Sequence, residues 1–257
     1  MNIRATLSLL IIFICTNLLA LSPTEKGLEI SIANDKANEG YQTEITSTKM
    51  ILINAYGDTI ERKMTSKTTE TTEDGDKSII EFLWPADVKG TRMLTYTHKN
   101  RNDDQWLYLP ALNRVKRISS NNQSGSFMGS EFAYEDISSQ EIEKYTYKFI
   151  KDDTLNGRNI WVIERYPTNK KSGYSKQVAF IDKEYKNPLK IDYYDRKGEL
   201  LKTSIFADYK KYGKFWRQNK IEMINHQTKK SSILTWTNRE IGTPLSATTF
   251  HKNSLMK

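Results

Sequence analysis

The sequence predicts a mainly β protein: a long antiparallel meander that curls into a barrel or a half-barrel, preceded by one short helix. Three observations carry this. From about Thr43 onward Thr, Tyr, Ile, Val and Trp dominate, the residues that suit a half-buried pleated surface. Turn signals such as Gly57-Asp58, Asp74-Gly75-Asp76, Asn156-Gly157 and Lys197-Gly198 recur at hairpin intervals. Tyr145, Tyr147 and Phe149 alternate with Thr146 and Lys148, the period-two pattern of a strand.

The first element is not part of that fold. Arg4 followed by the apolar run Leu7–Ala20, with Ala20 or Ser22 as the small residue for a peptidase, reads as a secretory signal peptide over residues 1–21. The run is short for a membrane span, which needs about 20 apolar residues. The only cysteine, Cys15, lies inside it and follows Ile14, so it does not sit in a lipobox. The remaining 22–257 contain no cysteine and no disulfide, and their length fits one large all-β domain. The expected location is the periplasm.

Ser22 or Thr24 caps a helix that starts at Pro23 and runs to about Asn38, with Leu28 and Ile32 on one face. Strands follow at Thr43–Tyr56, Thr59–Thr72, Lys77–Leu83, Arg92–His98, Gln105–Leu109 and Arg114–Ile118. Residues 121–130 are rich in Asn, Ser and Gly and read as a loop; Tyr134–Ser139 reads as one helical turn. The return strand Asn159–Arg165 is followed by Ser175–Ile181, Pro188–Tyr194, Leu200–Tyr209, Phe215–Asn225 and Ser231–Glu240.

The 257 residues hold 39 Lys and Arg against 31 Asp and Glu, a net charge of +8. Export argues against a nucleic-acid partner, so the basic balance points to solubility or to anionic lipid headgroups and acidic partners. His98, His226 and His251 fall in no metal-ligand spacing. Gly125-Ser126-Phe127-Met128-Gly129 is not a nucleophile elbow, because its middle residue is Phe. Asp103-Asp104 sits in a polar turn, and Asp74-Gly75-Asp76 lacks the downstream Glu of a calcium loop. No catalytic residue, metal or cofactor is expected. The 14 Tyr, 9 Phe and 5 Trp in a chain only 37% hydrophobic suit a barrel interior or a pocket for apolar chains.

Two stretches are distinctive. One is Phe82-Leu83-Trp84-Pro85-Ala86-Asp87-Val88-Lys89-Gly90-Thr91. The other runs from Asp104-Gln105-Trp106-Leu107-Tyr108-Leu109-Pro110 through Arg114-Val115-Lys116-Arg117-Ile118 to Gly125-Ser126-Phe127-Met128-Gly129-Ser130-Glu131-Phe132. Together they resemble the outer-membrane lipoprotein-sorting-protein-like family, a branch of the LolA-like superfamily. The resemblance implies a LolA- and LolB-like half-barrel: an unclosed, strongly curved antiparallel sheet with short covering helices. It also implies a carrier or chaperone for the acyl chains of a lipoprotein or lipid. Members of this branch accompany RND-type inner-membrane exporters, which leaves a rival reading as an accessory protein that binds no lipid. A secreted hydrolase is the third.

Within that frame Trp84, Trp106, Tyr108, Phe127, Met128 and Trp161 are the expected cavity residues. Strand alternation puts Trp106 and Tyr108 on one face and Leu107 and Leu109 on the other. The glycine-flanked Phe127–Met128 pair is expected either to cover the pocket as a lid or to pack as a tight crossing. Arg114, Lys116 and Arg117 are the expected headgroup or partner contacts.

Overall fold

The computed structural model describes residues 21–256; the predicted signal segment, apart from residue 21, lies outside them. Helix α1 (Pro23–Asn38) begins at Ser22, whose side chain accepts from the Glu25 N–H while Glu25 accepts from the Ser22 N–H, a capping box. The chain then forms β1 (Thr43–Ile53), β2 (Thr59–Thr69), β3 (Lys77–Trp84), β4 (Arg92–Tyr96), β5 (Asp104–Leu109) and β6 (Arg114–Ile118). A crossing segment, 119–144, contains only 3-10 turns. It leads to β7 (Tyr145–Leu155), β8 (Arg158–Pro167), β9 (Tyr174–Asp182), β10 (Pro188–Asp195) and β11 (Leu200–Ala207). The predicted strands at 200–209 and 215–225 are interrupted, because β12 (Lys210–Tyr212) and β13 (Phe215–Arg217) pair only with each other as a side hairpin. The chain rejoins the sheet through β14 (Lys220–Asn225) and β15 (Ser231–Ile241).

Thirteen strands form one antiparallel sheet in the order β6-β5-β4-β3-β2-β1-β15-β14-β11-β10-β9-β8-β7. Its edge strands β6 and β7 do not pair with each other, so the curved sheet stays open as a half-barrel. The two arms meet at the β1–β15 ladder, where Met50 faces Leu234.

The crossing segment explains how an open sheet of this size buries its inner face. It runs from one edge to the other across the concave side, as a strap. Its own Phe127 and Phe132 are buried and join Met50, Met64, Phe82, Met93, Leu107 and Ile163 in the main core. Helix α1 lies over β7, and a Cβ on Gly27 would stand 2.8 Å from the Phe149 backbone nitrogen, so the helix approaches the strand closely only through glycine. On the convex side a smaller cluster forms. Leu94, Phe250 and Leu255 are buried there, and the 3-10 turns Ala247–Phe250 and Lys252–Met256 lie over β3, β4 and β5.

Candidate functional site

The inner faces of β1 and β2 form a ladder that grades from polar to apolar. Directly opposite pairs share a face in an antiparallel sheet. The pairs run Glu44–Thr68, Thr46–Ser66, Thr48–Met64 and Met50–Arg62. Next to them β15 and β14 contribute Trp236, Leu234 and Ile221. All of these except Arg62 line a cavity of about 1070 Å³, with Phe127, Phe132 and Ile137 of the strap as its inner wall. That volume lies at the upper end of what small-ligand sites use, roughly 300–1,000 Å³.

The mouth is charged. It is ringed by the last turn of α1, the β2–β3 turn, the end of the strap and the side hairpin. On one side Asp35, Asp76 and Glu141 gather. Burial, and next the Asp76 charge, push Glu141 up to about 7. Burial and the neighbouring Glu39 push Asp35 up to about 6. Asp76 is raised by burial although it accepts from the Tyr41 hydroxyl at 2.7 Å. Facing them, Glu44 accepts from Arg217 Nε at 3.2 Å and from Arg239 Nη1, a half-buried Arg–Glu–Arg group. Arg217 also donates to Asn38, which ties the end of α1 to the side hairpin. Among the described residues no three His, Cys, Asp or Glu side chains gather closely enough to hold a metal ion.

The strap is locked rather than hinged. Lys202 Nζ donates to Asp136 at 2.7 Å and to the Glu131 carbonyl at 2.9 Å, and both side chains are 5% exposed. Tyr174 donates its hydroxyl to the same Asp136. Asn225 and the Ser232 hydroxyl hold Glu131, and Gln105 donates to the Tyr134 carbonyl from the opposite arm. Phe127–Ser130 is a tight turn closed by Ser130 N–H donating to the Phe127 carbonyl at 3.0 Å. Met128 and Gly129 both have positive φ there, the arrangement of a type I′ hairpin turn.

These positions sort the expected cavity residues. Phe127 lines the cavity, but it is 1% exposed, stacked edge-on against Tyr134 at 5.6 Å, and belongs to the core. The lid expectation is therefore corrected to a packed crossing. Met128 caps Arg62 through its carbonyl and does not line the cavity. Trp106 and Tyr108 do share a face, but it is the convex one, where they pack with the C-terminal turns. Their inward neighbours Leu107 and Leu109 belong to the main core instead. Trp84 is 48% exposed at the tip of β3. Trp161 packs at the margin of the core with the Lys186 ammonium 4.3 Å over its ring. Arg114, Lys116 and Arg117 are exposed on the edge strand β6, away from the mouth, and Arg117 pairs with Asp104.

Sequence reasoning missed Thr46, Thr48, Ser66 and Thr68, which are the polar wall, and the carboxylates of the mouth. Their signal was present: Thr46, Thr48 and Met50 recur at period two, and the Gly57-Asp58 turn sets their partners on β2.

A family model described as an uncharacterized protein matches residues 74–257. No curated protein matches the chain. Among solved structures, one designated an outer-membrane lipoprotein-sorting protein domain, from Vibrio parahaemolyticus, is 50% identical and superposes with a TM-score of 0.89 over 91% of this chain and 100% of its own. A DUF1329 family protein from Desulfovibrio piger is 28% identical, with a TM-score of 0.87 over 91% of this chain and 100% of its own. A LolA superfamily protein from Nitrosomonas europaea shares the fold at 17% identity, with a TM-score of 0.71 over 91% of this chain and 100% of its own.

Proposed function

We propose a carrier function for this chain, which belongs to the outer-membrane lipoprotein-sorting-protein-like family of the LolA superfamily. In this reading it works in the periplasm, takes the acyl chains of a lipoprotein or lipid into its half-barrel, and releases them unchanged. The observation that carries the reading is the graded cavity. Met50, Met64, Ile80, Phe132 and Leu234 offer an acyl chain an apolar floor, while Thr46, Ser66 and Thr68 lead out to a charged mouth where a headgroup stays in water.

The energetics suit transfer rather than storage. Each buried CH₂ contributes about 0.8 kcal/mol before ordering costs. A wall half made of hydroxyls lowers that gain, so cargo is held without becoming irreversible. The strap does not gate this cavity, because it is fastened by a buried ion pair. Access is through the mouth.

The experiment is displacement of a fluorescent fatty-acid probe by phospholipid or lipopeptide. Wild type is expected to bind the probe at micromolar concentration. Ser66→Trp, which places an indole into the cavity from β2, is expected to weaken binding by tenfold or more with an unchanged circular dichroism spectrum. Failure of the folded wild type to bind would overturn the carrier reading in favour of an accessory protein of an RND-type exporter.

A further inference from the structure

Six turns lie at one end of the sheet: β1–β2, β3–β4, β5–β6, β8–β9, β10–β11 and β14–β15. Antiparallel topology brings them there together, and the cavity mouth opens at the other end, beside the β2–β3 turn. The two ends differ in chemistry. The first three turns and the strand ends beside them carry Tyr56, Ile60, Leu83, Trp84 and Leu112, which are 93%, 57%, 45%, 48% and 68% exposed. These are five of the eleven exposed large apolar side chains among the described residues. Leu83 and Trp84 stand out side by side because β3 bulges there: Phe82 pairs with Met64 and Trp84 with Lys63, leaving Leu83 unpaired. The β3–β4 and β5–β6 turns touch, since a Cβ on Gly90 would lie 3.6 Å from Pro110.

The other three turns are cationic. Residues 168–173, 196–199 and 226–230 hold Lys170, Lys171, Arg196, Lys197, Lys229 and Lys230 against one acid, Glu199. At the mouth end the β2–β3 turn has the opposite sign, with Glu70, Glu73, Asp74 and Asp76 and no basic residue, while the β4–β5 and β9–β10 turns mix Lys99, Arg101, Lys183 and Lys186 with Asp103 and Glu184.

We propose that this end is a membrane-docking surface: the apolar tips enter the interfacial layer of an anionic bilayer and the basic turns bind its headgroups, holding the mouth away from the membrane. Aromatic and leucine side chains flanked by Lys and Arg are the composition that settles at a bilayer interface. The tips of separate hairpins make a set of protrusions rather than a flat patch. A soft bilayer accepts protrusions, whereas a protein partner needs a continuous complementary face. Lys63, 5.8 Å over the Trp84 ring, has a stem long enough to follow the tip and keep its ammonium among phosphates. This surface is independent of what the cavity holds, so it stands or falls separately from the carrier reading.

The test is cosedimentation of the protein recovered from the cell envelope with vesicles of phosphatidylcholine alone or with phosphatidylglycerol added. Binding is expected only to the anionic vesicles and is expected to weaken with salt. Leu83→Glu with Trp84→Glu, and separately Lys229→Glu with Lys230→Glu, should each reduce binding about tenfold or more, the first by putting charge on the apolar tip and the second by reversing the attraction to anionic headgroups. Ile150→Glu, an exposed apolar site on β7, should leave it unchanged. All five substituted side chains are exposed, and an unchanged circular dichroism spectrum would verify that the fold is intact. Absence of wild-type vesicle binding, equal binding to neutral vesicles, or tip variants that bind like wild type would each overturn the proposal. The first result would leave a protein partner as the occupant of the tips.

Discussion

Two segments cover the sheet, one on each side, and they are built differently. The strap, 119–144, lies on the concave face and is fastened by a buried ion pair, Lys202 with Asp136, inside a shell of hydrogen bonds from both arms. The C-terminal turns, 247–256, lie on the convex face and are held by Phe250 and Leu255 against Leu94 and Trp106, with Tyr96 and Arg92 donating to two carbonyls. A segment that fills a core cannot leave it without stranding charge. A segment laid on an outer face gives up apolar contact and two hydrogen bonds when it lifts, but leaves no buried charge unpaired. The first divides the half-barrel permanently into a packed part and an open part; the second shields a stripe that alternation forces onto the outside of β4 and β5.

The largest effect that separates them is Lys202→Ala. Removing one partner of a buried pair leaves the Asp136 carboxylate without its cation, at a cost of about 3–5 kcal/mol. Chemical denaturation should show this loss, and the strap amides should lose hydrogen-exchange protection first. A cost near zero would mean that the strap is held by its aromatics alone.

Leu255→Ala comes next. Leu255 is fully buried, and leucine truncation in a core costs about 2–5 kcal/mol. The loss should leave probe binding unchanged, because the convex cluster does not touch the cavity. Weakened probe binding would show that the outer cover shapes the inner face, and the contrast would fail.

The smallest effect is at the end of the strap. Glu141 titrates near 7 in the folded protein, above its value of 4.5 when free. A carboxyl with a raised folded value keeps its proton longer in the folded state than in the unfolded one. Stability is therefore undiminished below about pH 4.5 and falls as pH rises toward 7, with the loss complete above that. Asp35, raised to about 6, acts in the same direction. Glu141→Gln should match wild type at pH 4 and exceed it at pH 8, by no more than a few degrees in thermal melts. A variant less stable at pH 8 would assign Glu141 an ion pair with Lys144 or Lys99 instead.

The local signals were legible in the sequence for good reason. The helix start at Pro23, with Ser22 or Thr24 as its cap, the Asn156-Gly157 turn and the period-two runs act over a few residues and need no partner. The motifs around Trp84 and Trp106 identified the half-barrel family, and the alternation of Trp106 and Tyr108 against Leu107 and Leu109 was correct. The faces themselves were not legible. Period two says which residues share a side but not which side is inward, and the larger aromatics went outward because the C-terminal turns cover them. Phe127 and Met128 sit in a stretch of Gly and Ser that resembles a mobile loop; only the approach of Lys202, from a strand about seventy residues later, turns it into core. The cavity likewise comes from ladders between β1, β2, β14 and β15, whose residues lie up to about 190 positions apart. Composition, turns and alternation determined the strands and the family by themselves. Which face is concave, and how far the strap fills it, was decided only when distant strands closed around a buried charge.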